Sequence, residues 1–157
     1  MTSLPLPDSS PEYDAARERE GRVMAILRAL GPRPEVVRAF VELADAVLYG
    51  PAHLGRRERE LLAVATSRAN AAEYSTEIHA ELLDGLGGGP HDERDRALCD
   101  FARRLTLAPA EAEAATAALR AHLTVEEAFD AIAVVGLLNL ANRSALATGI
   151  TAADDLR

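Results

Sequence analysis

The stretch Arg57–Ala80, RERELLAVATSRANAAEYSTEIHA, gathers side chains whose types and spacing suit proton chemistry. Glu60 stands near its start and His79 near its end, with Tyr74 and Ser75 between them. A carboxylate that orients an imidazole makes a general acid–base pair. The same two groups on neighbouring helices would also serve as a buried, satisfied structural pair. Ser75 precedes His79 by four residues, so on a helix both project from one face. Its hydroxyl suits a hydrogen bond to a substrate. With His79 as base and Glu60 behind it, Ser75 also has the makings of a nucleophile, but nucleophilic serines stand on tight elbows rather than mid-helix. Tyr74 is the next polar candidate, against the alternative of an ordinary core or interface aromatic. Ala72 and Ser75 have the spacing of a C-x-x-C pair, and neither is cysteine. Whatever this segment does, it does without a dithiol.

Helices must position these groups. Ser10-Pro11-Glu12 reads as an N-cap with proline at the first helical position. Helical pattern then runs to about Leu30, with a break at Gly21, and Gly31-Pro32-Arg33-Pro34 stops and restarts the chain. A second helix is expected over Glu35–Leu48, with Val36, Val37, Phe40, Val41, Leu43, Ala44 and Val47 forming a wide apolar face. The chemistry-bearing stretch divides into a helix from near Gly55 and another over Ala72–Leu86, with a bend near Asn70. A fifth helix covers Asp92–Leu105, and Pro109 opens a sixth to about His122. Thr124-Val125-Glu126-Glu127 is a capping box that starts the last helix, Val125–Thr148, and Gly149 is placed to cap its end. The strongest apolar stripe of that helix is Phe129, Ile132, Ala133, Gly136 and Leu140, widened by Val135, Leu137 and Leu138. No strand pattern, tandem repeat or low-complexity segment stands out. The reading is an all-α fold, with residues 1–10 a flexible tail and 11–157 one helical domain.

Composition agrees. The chain has 157 residues, 48% hydrophobic and 27% charged, enough for one domain with a real core. Alanine and leucine dominate, and tryptophan is absent. A net charge of −8 argues against nucleic acid or an anionic membrane as partner. The longest apolar run, Ala131–Leu138, falls well short of the ~20 residues that span a bilayer. No cationic segment followed by an apolar run opens the chain. Its single cysteine, Cys99, forms no internal disulfide, which makes the reduced cytoplasm the expected compartment. Cys99 itself reads as a small core hydrophobe.

The remaining polar residues read as structural. Asn139 and Asn142 lie on the apolar last helix beside Arg143, and buried amides of this kind tie a helix to its neighbours. His53, His91 and His122 occupy loop or terminal positions without ligand spacing, so no metal site is expected. Asp92, Glu93 and Asp95 form an acidic first turn that complements the helix dipole.

Taken together, Arg57-Glu58-Arg59-Glu60-Leu61, Ser67-Arg68-Ala69-Asn70, Glu73-Tyr74-Ser75 and His79 resemble the alkylhydroperoxidase D / carboxymuconolactone decarboxylase superfamily, in its peroxidase-related single-domain form. Weaker matches follow in the right order: Gly21-Arg22-Val23 through Phe40, Gly50-Pro51, Ala97 through Phe101, and Leu138 through Arg143. The resemblance implies an AhpD-like helical bundle and a homo-oligomer, a trimer or a hexamer. Redox members carry a glutamate, a C-x-x-C and a histidine four residues after the second cysteine. Here the glutamate falls on Glu60 and the histidine on His79, while the cysteine positions fall on Ala72 and Ser75. Serine and alanine cannot pass through the thiolate–sulfenic acid cycle of a peroxidase. The decarboxylase branch also lacks the cysteines and keeps the histidine. The implied activity is therefore cofactor-independent acid–base chemistry of lyase, decarboxylase or isomerase type on a small organic acid, lactone or related metabolite. His79 and Glu60 would be catalytic, and Ser75, Tyr74 and Ala72 would line the substrate. Two alternatives stay open: a catalytically retired homologue that binds or scaffolds, and an engineered variant whose cysteines were replaced.

Overall fold

The computed structural model describes residues 2–156, apart from the side chains of Arg19 and Glu20. Eight α-helices follow one another among the described residues: α1 Pro11–Glu20, α2 Ala25–Ala29, α3 Pro34–Ala44, α4 Arg56–Ala69, α5 Glu73–Gly85, α6 Glu93–Leu107, α7 Ala112–Leu119 and α8 Val125–Thr148. Among the described residues there is no strand, only an isolated bridge between Val23 and Leu156. The boundaries follow local chemistry. Gly21 closes α1 in the left-handed region, the Asp92 side chain caps α6, and Thr124 with Glu127 makes the reciprocal box at α8.

The end of the second expected helix differs from a regular one. After α3 the chain widens into a π-helical turn over Asp45–Tyr49, closed by the Gly50 N–H on the Asp45 carbonyl at 2.6 Å. A Cβ on Gly50 would meet that carbonyl at 3.0 Å, so a side chain here would crowd the closing backbone. Arg59 reaches over from α4 and donates to the Val47 and Gly50 carbonyls at 3.2 and 2.9 Å. It thus satisfies acceptors that the widened turn and Pro51 leave open.

α4 is the central helix and packs against α5, α6 and α8. Leu62, Ala63, Leu98, Phe101, Ala102, Val134 and Leu138 form the heart of the core. Partly buried ion pairs tie the helices together. Arg57 holds Asp95 with both nitrogen–oxygen contacts under 3 Å, at 2.7 and 2.9 Å, and Arg94 joins Glu58 to Glu127 at 2.7 Å each.

One expectation changes. The buried face of α8 is Ala128, Ala131, Val134, Val135, Leu138, Ala141, Asn142 and Ala145. Phe129, Ile132, Ala133, Gly136 and Leu140 point outward instead, with Phe129 68% exposed. Both faces of the helix are apolar, so periodicity alone does not choose between them. Half of its most apolar window is buried inside the bundle, which makes α8 the core helix of this domain. The N-terminal segment is hydrogen-bonded to the rest of the chain. Ser3 N–H donates to the Thr148 carbonyl at 2.8 Å, and Arg28 binds the Pro7 carbonyl, Asp8 and the Asp154 carbonyl. Met1, the first residue of the expected tail, lies outside the described residues.

Candidate functional site

The turn between α4 and α5 brings the chemistry together. Asn70 ends α4, Ala71 takes φ +55°, and Ala72 precedes α5. Ala71 N–H donates to the Arg68 carbonyl and Ala72 N–H to the Ser67 carbonyl, each at 3.0 Å. This is the paired closure of a Schellman turn, with alanine where glycine is the usual occupant. It folds α5 back along α4, so that a residue near the start of one helix meets a residue midway along the other.

Those residues are Glu60 and His79. Glu60 is completely buried, and its Oε2 lies 2.7 Å from His79 Nδ1. Its Oε1 accepts from Arg56, one turn earlier on α4. Burial pushes the Glu60 carboxyl upward. The hydrogen bond of His79, followed by the hydrogen bond and charge of Arg56, outweigh this and hold it below the usual carboxylate range. With Oε2 as acceptor, the Nδ1 position carries the ring proton and Nε2 is left to a ligand.

His79 and Ser75 share one face of α5 and line a cavity of about 100 Å³. Asp45, Tyr49 and Tyr74 also border it, and the rest of its wall is apolar, built by Ile26, Phe40, Val41, Leu48, Leu137 and Leu138 among others. At 10–15 Å³ per water-sized sphere the space holds roughly seven waters or one small organic molecule. It adjoins an open vestibule of about 930 Å³ through Met24, Asp45, Tyr49 and Ile78, which border both spaces. Arg22, Arg56 and Glu81 bring charge to the vestibule, and Leu82 and Leu86 bring apolar surface. Phe40, Val41 and Ala44 of α3 form a wall of the cavity and pack against the core at the same time.

The other expected site residues are placed as follows. The Tyr74 ring forms part of the cavity wall, while its hydroxyl donates to Asp155 at 3.1 Å. Burial, and then the Asp155 charge, push that hydroxyl's proton affinity far up. The same carboxylate accepts the Ala25 N–H at 2.7 Å, so Tyr74 anchors the C-terminal segment over α2. Ala72 is buried beside a different, shallower groove, with Ala145 and Ile150. Asn139 accepts from Asn70 at 3.0 Å and donates to Thr106 at 3.2 Å, and Asn142 accepts from Ser67 at 3.3 Å. These amides join α8 to α4 and α6. Cys99 borders a separate groove next to Arg68 and Arg103, where burial pushes its thiol up. No group of three His, Cys, Asp or Glu side chains among the described residues is arranged to hold a metal ion. Arg56 and Tyr49 are the site residues that sequence reading missed. Arg56 is legible after the fact as an i, i+4 partner of Glu60, whereas Tyr49 gives no sequence signal.

Solved structures share this architecture. An uncharacterized peroxidase-related protein from Silicibacter sp. TM1040 is 29% identical with a TM-score of 0.83, over 96% of this chain and 91% of its own. An uncharacterized peroxidase-related protein from Ralstonia eutropha JMP134, described as an alkylhydroperoxidase AhpD core, is 29% identical with a TM-score of 0.80, over 96% and 92%. A cysteine-to-alanine variant of the debrominase Bmp8, solved in complex with 2,3,4-tribromopyrrole, has a TM-score of 0.79 over 97% and 92%; at 17% identity the likeness is one of fold. No protein of curated function matches. The model of the carboxymuconolactone decarboxylase family matches residues 34–121, a span that holds α3 through α7 and with them Glu60, Ser75 and His79. The chain belongs to the carboxymuconolactone decarboxylase family, in the AhpD-like all-helical form.

Proposed function

We propose that the protein is a cofactor-independent acid–base enzyme, of lyase, decarboxylase or isomerase type, acting on a small organic acid, lactone or related metabolite. The observation that carries this is the buried Glu60–His79 pair at 2.7 Å on the wall of an apolar cavity. Nε2 of His79 takes a proton from an acidic C–H or O–H of the substrate and returns it later in the cycle. Glu60 keeps Nδ1 protonated and the ring fixed throughout. The Ser75 hydroxyl, one turn away on the same face, donates a hydrogen bond to the substrate. The dry wall strengthens each of these polar contacts.

Peroxide reduction has no support in these residues, because Ala72 and Ser75 stand where a dithiol is required. A retired scaffold would need no cavity beside His79, and this chain has one. The enzyme would be a homo-oligomer, a trimer or a hexamer, assembled through the outward apolar face of α8.

The test is turnover on a panel of small lactones and organic acids. His79→Ala should abolish it while leaving circular dichroism and oligomer size unchanged; unchanged turnover would overturn the reading. The double change Ala72→Cys with Ser75→Cys should confer no peroxide reduction on a chain built for proton transfer. Robust peroxidase activity there would favour a redox frame with its thiols removed.

A further inference from the structure

Glu60 lies wholly inside the protein with both oxygens engaged, one by His79 Nδ1 and one by Arg56 Nη1. The guanidinium of Arg56 stacks over the Tyr49 ring, 4.7 Å from its centre. An ionised carboxylate in so dry a place needs a counter-charge close by. Among the described residues two groups touch it and can supply one; Arg59 also feels the Glu60 charge, but its guanidinium is committed to the Val47 and Gly50 carbonyls. Arg56 is charged at every accessible pH. The His79 ring supplies a charge only by taking a second proton, and that proton would occupy the lone pair a base needs.

We propose that Arg56 is the positioning residue that balances Glu60 and so keeps His79 a neutral base facing the cavity, rather than half of an imidazolium–carboxylate ion pair. The inference rests on the acid–base reading of the same site. With arginine on Oε1, Glu60 holds the Nδ1 proton without calling for another on Nε2. Without arginine, the pair would carry a buried net negative charge, and a second proton on His79 is the cheapest relief.

Among the described residues, no cation other than Arg56 hydrogen-bonds Glu60, and Arg59 is held away by the Val47 and Gly50 carbonyls. Asp45 and Tyr49 face the cavity from the π-helical turn and Tyr74 from α5, and none of them is a cation. α2, α3 and α8 present only apolar side chains to it, such as Leu27, Phe40 and Leu137. In the vestibule, Arg22 lies 3.5 Å from Asp155, and Glu81 adds negative charge.

The experiment is nuclear magnetic resonance of protein carrying ¹⁵N-labelled histidine, with the His79 signals identified among the four histidines by their loss in His79→Gln. At about pH 7.5, where protonation of imidazole is readily distinguished, the parent should show Nδ1 protonated and Nε2 bare. In Arg56→Gln the ring's proton affinity should rise at least roughly tenfold, and in Arg56→Lys, which keeps a charge, it should stay within about threefold of the parent. A doubly protonated ring in the parent at that pH would overturn the proposal, as would a change of less than about twofold in Arg56→Gln. Should Arg56→Gln fail to fold, the ring state of the parent decides alone. No turnover is read, so a failed activity screen with the expected ring pattern counts against the acid–base reading and not against the role of Arg56.

Discussion

Ser75 and His79 divide the work at the site, and single substitutions should separate their shares. One hydrogen bond to a neutral partner contributes about 0.5–1.5 kcal/mol. Ser75→Ala should therefore raise KM by roughly threefold to tenfold with kcat nearly unchanged, measured by steady-state kinetics on the substrate found by screening. A fall in kcat of several hundredfold or more would instead mark Ser75 as the nucleophile. Glu60 is a different case, because it supports the fold as well as the ring. Glu60→Ala leaves His79 without its buried partner and Arg56, itself partly exposed, without its ion pair; a hydrogen bond to a charged group contributes about 1.5–3 kcal/mol. Urea denaturation should show a loss of that order, and a loss below about 1 kcal/mol would contradict the buried-pair description. Glu60 and His79 were legible in the sequence because a carboxylate, a serine and a histidine fell on helical spacing and on a family pattern. Tyr74 was legible as a residue but not as a contact. Its hydroxyl is claimed by Asp155, which lies 81 residues away in sequence, and no local pattern reports such a partner.

Among the elements, helix boundaries were read well wherever a cap side chain or a glycine marks them, as at Gly21, Gly55, Asp92, Thr124 and Gly149. What the pattern could not give was a rotation. α8 is apolar on both faces, and its inward face joins the expected Val135, Leu137 and Leu138 to Val134 and to smaller residues, Ala128, Ala131 and Ala141, that let neighbours approach. The larger Phe129, Ile132 and Leu140 form the outward stripe along a helix about 36 Å long. If that stripe is where copies of the chain meet, Phe129→Lys with Leu140→Lys should reduce the particle to a monomer by light scattering, with helicity retained. An unchanged mass would place the contact elsewhere. The Ala71 turn makes a second prediction. Its φ of +55° costs an alanine about 1–2 kcal/mol, and glycine gives back part of that in chain entropy. Ala71→Gly should raise Tm by roughly 2 °C, and a clear drop would show that the turn is not strained.

For the molecule as a whole, ion pairs set the response to acid. Glu60 and Asp95 are held below the usual carboxylate range, and Glu127 is drawn down to about 2 by Arg94 and the Thr124 cap. Folded values below unfolded ones mean that each group stabilises the protein fully above the unfolded value, about 4 for carboxylates, and stops doing so as pH falls through the folded value. Stability should therefore hold from neutrality to about pH 5 and decline steadily toward pH 2, with Glu127→Gln flattening the lower part of that decline. Denaturant titrations across this range would show it, and a pH-independent midpoint would contradict it. These pairs also fix the helices around the His79 cavity, so the site and the acid response rest on the same packing. The most direct measurement of the central claim is deuterium uptake from D₂O into the acidic C–H positions of the panel lactones and acids. The parent protein should catalyse uptake on at least one of them, and His79→Ala should not. Equal uptake with both proteins would contradict His79 as the group that moves the proton.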